Sequence, residues 1–152
     1  MKTAIDSSVL LAILNDEPEG QEWLGVLIEA RRQGPLDICE VVYAEIAPAF
    51  GTEAELQESL NKLGIAFEAL TPSAAWRAGE CFRAYRESGG PRKHMIPDFL
   101  IAAHAENQAN RFAAIDRGYL RRYFPTLARL SPSSVGPEAV KRRVQPGSAD
   151  HF

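Results

Sequence analysis

Apolar residues follow two rhythms along this chain, and each predicts a different element. Short apolar runs closed by turn residues predict strands: "TAI" at 3–5, then "PLDIC", "IAFEAL", "RFAAI" and "LARL". Apolar positions recurring every three or four residues predict the helices between them. "DSSVLLAIL" begins one, with Asp6 or Ser7 near its cap. "EGQEWLGVLIEARRQG" places Trp23, Val26, Leu27 and Ala30 on one face and closes on Gly34, with Arg31 and Arg32 in its last turn. "EVVYAEIAPAF", interrupted by Pro48, and "EAELQESLNKLG", closing on Gly64, are two more. "PSAAWRAGECFRAYRESGG" opens at Pro72 and stops at Gly89 and Gly90, and "PDFLIAAHAENQA" is the last long helix.

Strands separated by helices require crossover connections, which parallel neighbours need and hairpins do not. The expected fold is a three-layer α/β/α sandwich around a parallel sheet of four to five strands. The pattern fades near Ser131. Residues 131–152, "SPSSVGPEAVKRRVQPGSADHF", are rich in Pro, Ser, Gly and charge and offer little to bury, which predicts a mobile tail after a domain spanning 1–130.

Composition alters this picture little. The chain has 152 residues, 45% hydrophobic and 24% charged, with a net charge of −3, so one domain with its own core is the simplest reading. No targeting segment is read at the N-terminus, and no apolar run approaches the roughly 18 residues of a membrane span; a cytoplasmic location is the expectation. Cys39 and Cys81 show no metal-ligand spacing and are expected as reduced core residues.

In an open parallel sheet, ligands bind beyond the carboxyl ends of the strands, where strand order reverses. Asp6 ends the first strand and Asp116 follows the fourth. Asp98 enters a helix after the loop "ESGGPRKHMIP", and Glu45 lies in the helix after the second strand, so all four acids are expected at one rim. Each has an ordinary structural use. Asp6 suits an N-cap, Asp98 a first-turn acid facing the helix dipole, and Asp116 a turn. Glu45 shares a helical face with Val42, Ile46 and Ala49, which predicts a buried carboxylate in need of a partner.

Gathering them changes the chemistry. Two carboxylates about 4 Å apart repel by about 4 kcal/mol at an effective dielectric of about 20, so a cluster of four requires protons or cations. Oxygen-only ligands favour Mg²⁺ or Mn²⁺, and the three scattered histidines, His94, His104 and His151, offer no competing zinc set. His104, inside a helix, is expected as a surface or packing residue.

"AIDSSVLLAIL", "VYAEI", "YRESGGPRKHMIPDFLIAAHA" and "AAIDRGYLRRYFPTLARL" resemble, in order and spacing, the PIN-domain ribonucleases, most closely the VapC-like toxins of bacterial toxin-antitoxin modules. The resemblance covers Met1 to about Leu130. It implies a catalytic quartet of Asp6, Glu45, Asp98 and Asp116, with Asp6, Asp98 and Asp116 as ligands of Mg²⁺, for which Mn²⁺ substitutes. The implied reaction is metal-assisted hydrolysis of RNA phosphodiester bonds without a protein nucleophile. The implied partners are an RNA substrate, a cognate antitoxin and a second copy of the chain in a homodimer.

One residue departs from the pattern. Where the family often has Ser or Thr two residues before its last aspartate, this chain has Ala114; Ser7 and Ser8 are alternative sources of a hydroxyl, or simply favour the helix start. A pI near 5.6 argues against a broadly basic surface. Arg92 and Lys93 precede Asp98, however, and Arg117 follows Asp116, so cations for RNA phosphates are expected at the acidic rim. Arg83, Arg86, Arg121 and Arg122 read equally as solvated helix faces. Tyr119, Tyr123 and Phe124 are expected to pack the last helix onto the sheet rather than stack on bases. A dehalogenase-type phosphotransferase wants a second acid two residues after Asp6, where Ser8 stands, and a receiver domain wants paired acids before that site. The remaining rival is a degenerate PIN fold that only binds protein or RNA, against which the intact quartet speaks.

Overall fold

A computed structural model describes residues 1–90, 96–115 and 118–132. Five short strands form one parallel sheet: β1 Thr3–Ile5, β2 Leu36–Ile38, β3 Ile65–Phe67, β4 Arg111–Ala113 and β5 Arg129–Leu130, in the order β3-β2-β1-β4-β5. Around it lie α1 Ser7–Leu14, α2 Gly20–Gln33, α3 Glu40–Ile46, α4 Glu53–Leu63, α5 Pro72–Glu87, α6 Ile96–Gln108 and α7 Tyr119–Tyr123. Connections between parallel neighbours are right-handed almost without exception. The chain moves one way from β1 to β3 and the other way from β4 to β5, so α1–α4 cover one face and α5–α7 the other. The three-layer sandwich expected from the sequence is the observed fold.

Local chemistry explains the element ends. Thr52 and Thr71 cap α4 and α5 by accepting from Glu55 N and Ala74 N, both at 3.2 Å. Gly64 ends α4 with φ of 69°, a left-handed conformation in which a side chain would be strained. The face expected for α2 is the one buried, through Trp23, Val26, Leu27 and Ala30. Pro48 sits in a single 3-10 turn, Ala47–Ala49, that takes over where α3 stops at Ile46.

Phe99, on the first turn of α6, anchors the second face. Its ring is fully buried and meets Tyr85, Tyr119 and Tyr123 edge-on, with 5.2 Å between the Phe99 and Tyr123 centroids. Phe124 packs against it as well, so the packing role expected of Tyr119, Tyr123 and Phe124 is what the structure shows. Cys39 and Cys81 are buried and unbridged, as expected. Among the described residues no helix is long and apolar enough to cross a membrane.

Candidate active site

Strand order reverses between β1 and β4, and the two strands are hydrogen-bonded there: Asp6 N donates to Ala113 O at 2.9 Å. Asp6 follows β1 directly and is only 3% exposed. It caps α1 while keeping an oxygen in reserve. Oδ2 accepts from Ser8 N at 3.3 Å and from the Ser8 hydroxyl. Oδ1 is buried and has no hydrogen-bond partner among the described residues. A buried carboxylate oxygen without a donor carries a desolvation penalty that a bound cation would remove. The residue types at this rim therefore fit a divalent ion bound through oxygen.

Glu45 reaches the same place from α3. Its Oε1 accepts from the Ser7 hydroxyl at 3.1 Å, tying α3 to the first turn of α1 beside Asp6. The expectation that Glu45 is buried does not hold. Val42 and Ile46 are buried, whereas Glu45 and Ala49 are exposed. The helix is seven residues long, and Glu45 lies beside its apolar stripe rather than in it, so the carboxylate opens to solvent, with the Ser7 hydroxyl as one of the groups that orient it.

Asp98 is half-buried in the first turn of α6. The far end of α6 leads to Asn110, whose N–H donates to Lys2 O at the amino end of β1. A helix of 13 residues extends about 20 Å, so its first turn lies at the opposite, carboxyl end of the sheet. Phe99, packed among the aromatic residues that follow β4, places that turn independently. Asp98 thus shares the rim with Asp6. Asp116, the remaining expected ligand, lies outside the described residues, as do Arg92, Lys93, Arg117 and His94. Among the described residues no three acidic, histidine or cysteine side chains stand close enough to hold a metal together.

Ser8 is the site residue whose importance the sequence obscures. Its Oγ donates to Asp6 Oδ2 and accepts from Ile115 N at 3.4 Å, joining α1 to the segment that follows β4. A serine next to a capping aspartate reads as a helix-start residue; its second bond spans 107 positions, and no local pattern announces it.

A second polar group lies away from this rim. Glu68 Oε1 meets His104 Nε2 at 3.0 Å and accepts from Gln108 Nε2 at 3.2 Å, while Glu68 Oε2 accepts from the Lys2 ammonium, which also lies 3.7 Å from Asp37 Oδ2. His104, expected at the surface or in packing, is buried in this network. Burial lowers its pKa despite the bond to Glu68, and burial likewise raises that of Asp37 despite Lys2. Arg83 and Arg86 are exposed on α5 and line an open groove of about 550 Å³ with Gly79, Phe82, Glu87 and Gly90. The Arg86 guanidinium lies 5.8 Å from the Phe82 ring centre.

An open parallel sheet with carboxylates at its switch point defines an α/β protein with a rim-bound polar site. The chain belongs to the PIN domain family, whose model matches residues 3–124. No curated protein matches it closely in sequence. In fold it is similar to VapBC2 from Rickettsia felis bound to a DNA fragment from their promoter, with a TM-score of 0.66 and 17% identity over 86% of this chain and 98% of that one. VapBC-1 from nontypeable Haemophilus influenzae gives 0.65 at 17% identity, covering 88% of this chain and 99% of that one. FitAcB from Neisseria gonorrhoeae gives 0.57 at 16% identity with the same coverages. The PIN-domain resemblance seen in the sequence is thus borne out by the family model, and the likeness to the VapBC and FitAcB structures is one of fold.

Proposed function

We propose that the chain is a metal-dependent endoribonuclease that hydrolyses RNA phosphodiester bonds as the toxin of a toxin-antitoxin pair. The observation that carries this reading is Asp6 Oδ1, a buried carboxylate oxygen without a donor among the described residues, at the switch point of a PIN-family sheet. Asp6 and Asp98 hold Mg²⁺, or Mn²⁺ in its place, and Asp116 completes the set. Such a cation supplies Lewis acidity toward the phosphoryl group and the attacking water. Ser7 orients Glu45, whose solvent-exposed carboxylate takes up the proton that the water releases. Arg92, Lys93 and Arg117 contact RNA phosphates. The likeness to VapBC and FitAcB structures supports a cognate antitoxin as partner, and the protein acts as a homodimer.

The test is a titration of Mg²⁺ or Mn²⁺ against thermal stability and RNA cleavage, with Asp98→Asn beside the unmodified chain. The expected outcome is that cleavage disappears in the variant while its metal-free melting temperature stays near that of the unmodified chain. Unchanged cleavage would exclude the metal role of Asp98.

A further inference from the structure

We infer that Ser8 is a positioning residue for the cation site, holding the Asp6 carboxylate in the one orientation that leaves Oδ1 available. This rests on the metal-dependent reading above and deepens it. Three bonds carry the inference. Ser8 N and Ser8 Oγ both donate to Asp6 Oδ2, so a single oxygen is saturated and the other has no partner among the described residues. The same Oγ accepts from Ile115 N at 3.4 Å, on the residue immediately before Asp116 in the chain. One hydroxyl therefore sets the rotation of the first acid and tethers the segment leading to the last.

The terminal torsion of aspartate is broad and roughly two-fold, so a carboxylate held only by its backbone cap turns easily. Without the Ser8 hydroxyl, Oδ1 and Oδ2 exchange roles, and the Ile115 amide loses its side-chain acceptor. Position 114, where a hydroxyl from the β4 side would stand, is alanine. Among the described residues Ser8 is thus the side chain that bridges the two strand ends. Ser7 has a separate duty, toward Glu45.

Isothermal calorimetry with Mn²⁺ alone, on the full chain, tests this without reference to activity. The unmodified chain binds Mn²⁺ and Asp6→Asn does not. Ser8→Ala, in a first helical turn that tolerates alanine well, binds about 10 to 100 times more weakly, the usual effect of removing a group that orients a ligand. Ser8→Thr keeps the hydroxyl and binds as the unmodified chain does. Ser8→Ala binding as tightly as the unmodified chain would overturn the inference and leave the metal site standing. Equal losses in Ser8→Ala and Ser8→Thr would overturn it too, because shape rather than the hydroxyl would then matter. An unmodified chain that takes up no Mn²⁺ would overturn the metal reading and this inference together.

Discussion

Asp6 uses its two oxygens for different ends. Oδ2 finishes the helix that begins at Ser7, while Oδ1 is buried without a donor among the described residues. Capping and the proposed ligand role are therefore compatible in this residue: the cap fixes the carboxylate geometry that a cation would need. Phe99 does comparable work for Asp98, since the adjacent acid is held at the rim by a ring packed among Tyr85, Tyr119, Tyr123 and Phe124. Phe99→Ala removes a fully buried aromatic side chain and is expected to destabilise the protein by about 3–5 kcal/mol. Urea unfolding followed by circular dichroism measures it, and a change under about 1 kcal/mol would mean that the ring is not the anchor described.

At the scale of elements, α6 is fastened at both ends by different physics. Its first turn is held by aromatic packing, and its second half by the network of His104, Gln108, Glu68, Lys2 and Asp37. The network makes stability depend on pH. Burial keeps the folded-state pKa of His104 below the ordinary 6.5. The unfolded chain then binds more protons, so stability is lost as pH falls below about 6.5 toward the folded value. Burial works to raise Glu68, but bonds from Lys2 and His104 hold it below 4.5, so its contribution is intact above that value and lost on further acidification. Asp37 acts in the opposite sense, because burial lifts it above 3.8 and the folded chain takes up that proton first. His104→Gln keeps a hydrogen-bonding group without the titration. Its melting temperature is expected to fall less than that of the unmodified chain between about pH 7 and pH 5, where histidine titrates. Parallel curves for the two proteins would remove His104 as the cause.

Periodicity made these elements legible in advance. The stripe of Trp23, Val26, Leu27 and Ala30 and the short runs from "TAI" to "LARL" describe α2 and the strands closely, because burial of an apolar face is what the pattern records. Depth was harder to read. Glu45 shares the spacing of Val42 and Ile46 yet is exposed, since a seven-residue helix meets neighbours along only part of its face. The Lys2, Asp37, Glu68 and His104 network is illegible in the sequence for the converse reason: polar residues read as surface unless their partners, distant in sequence, are known. Ser8 illustrates the same point at the site, where its bond to Ile115 exists only once β1 and β4 are paired.

For the whole molecule, the decisive feature is where strand order reverses. A β3-β2-β1-β4-β5 sheet opens its crevice between β1 and β4, and the chain puts Asp6 directly at that opening. Glu45 is brought there by Ser7, and Asp98 by the crossing of α6 over the sheet. With a net charge of −3 spread over 152 residues, the RNA binding proposed above would depend on local cations rather than on the molecule's overall field. Membership of the PIN domain family accounts for the frame, and the proposed chemistry rests on the Asp6 oxygen that has no partner among the described residues. Anomalous diffraction from crystals grown with Mn²⁺ tests this most directly. A manganese peak bonded to Asp6 Oδ1 at the β1–β4 rim is the expected result; a principal peak elsewhere, with none at that oxygen, would overturn the proposed metal site.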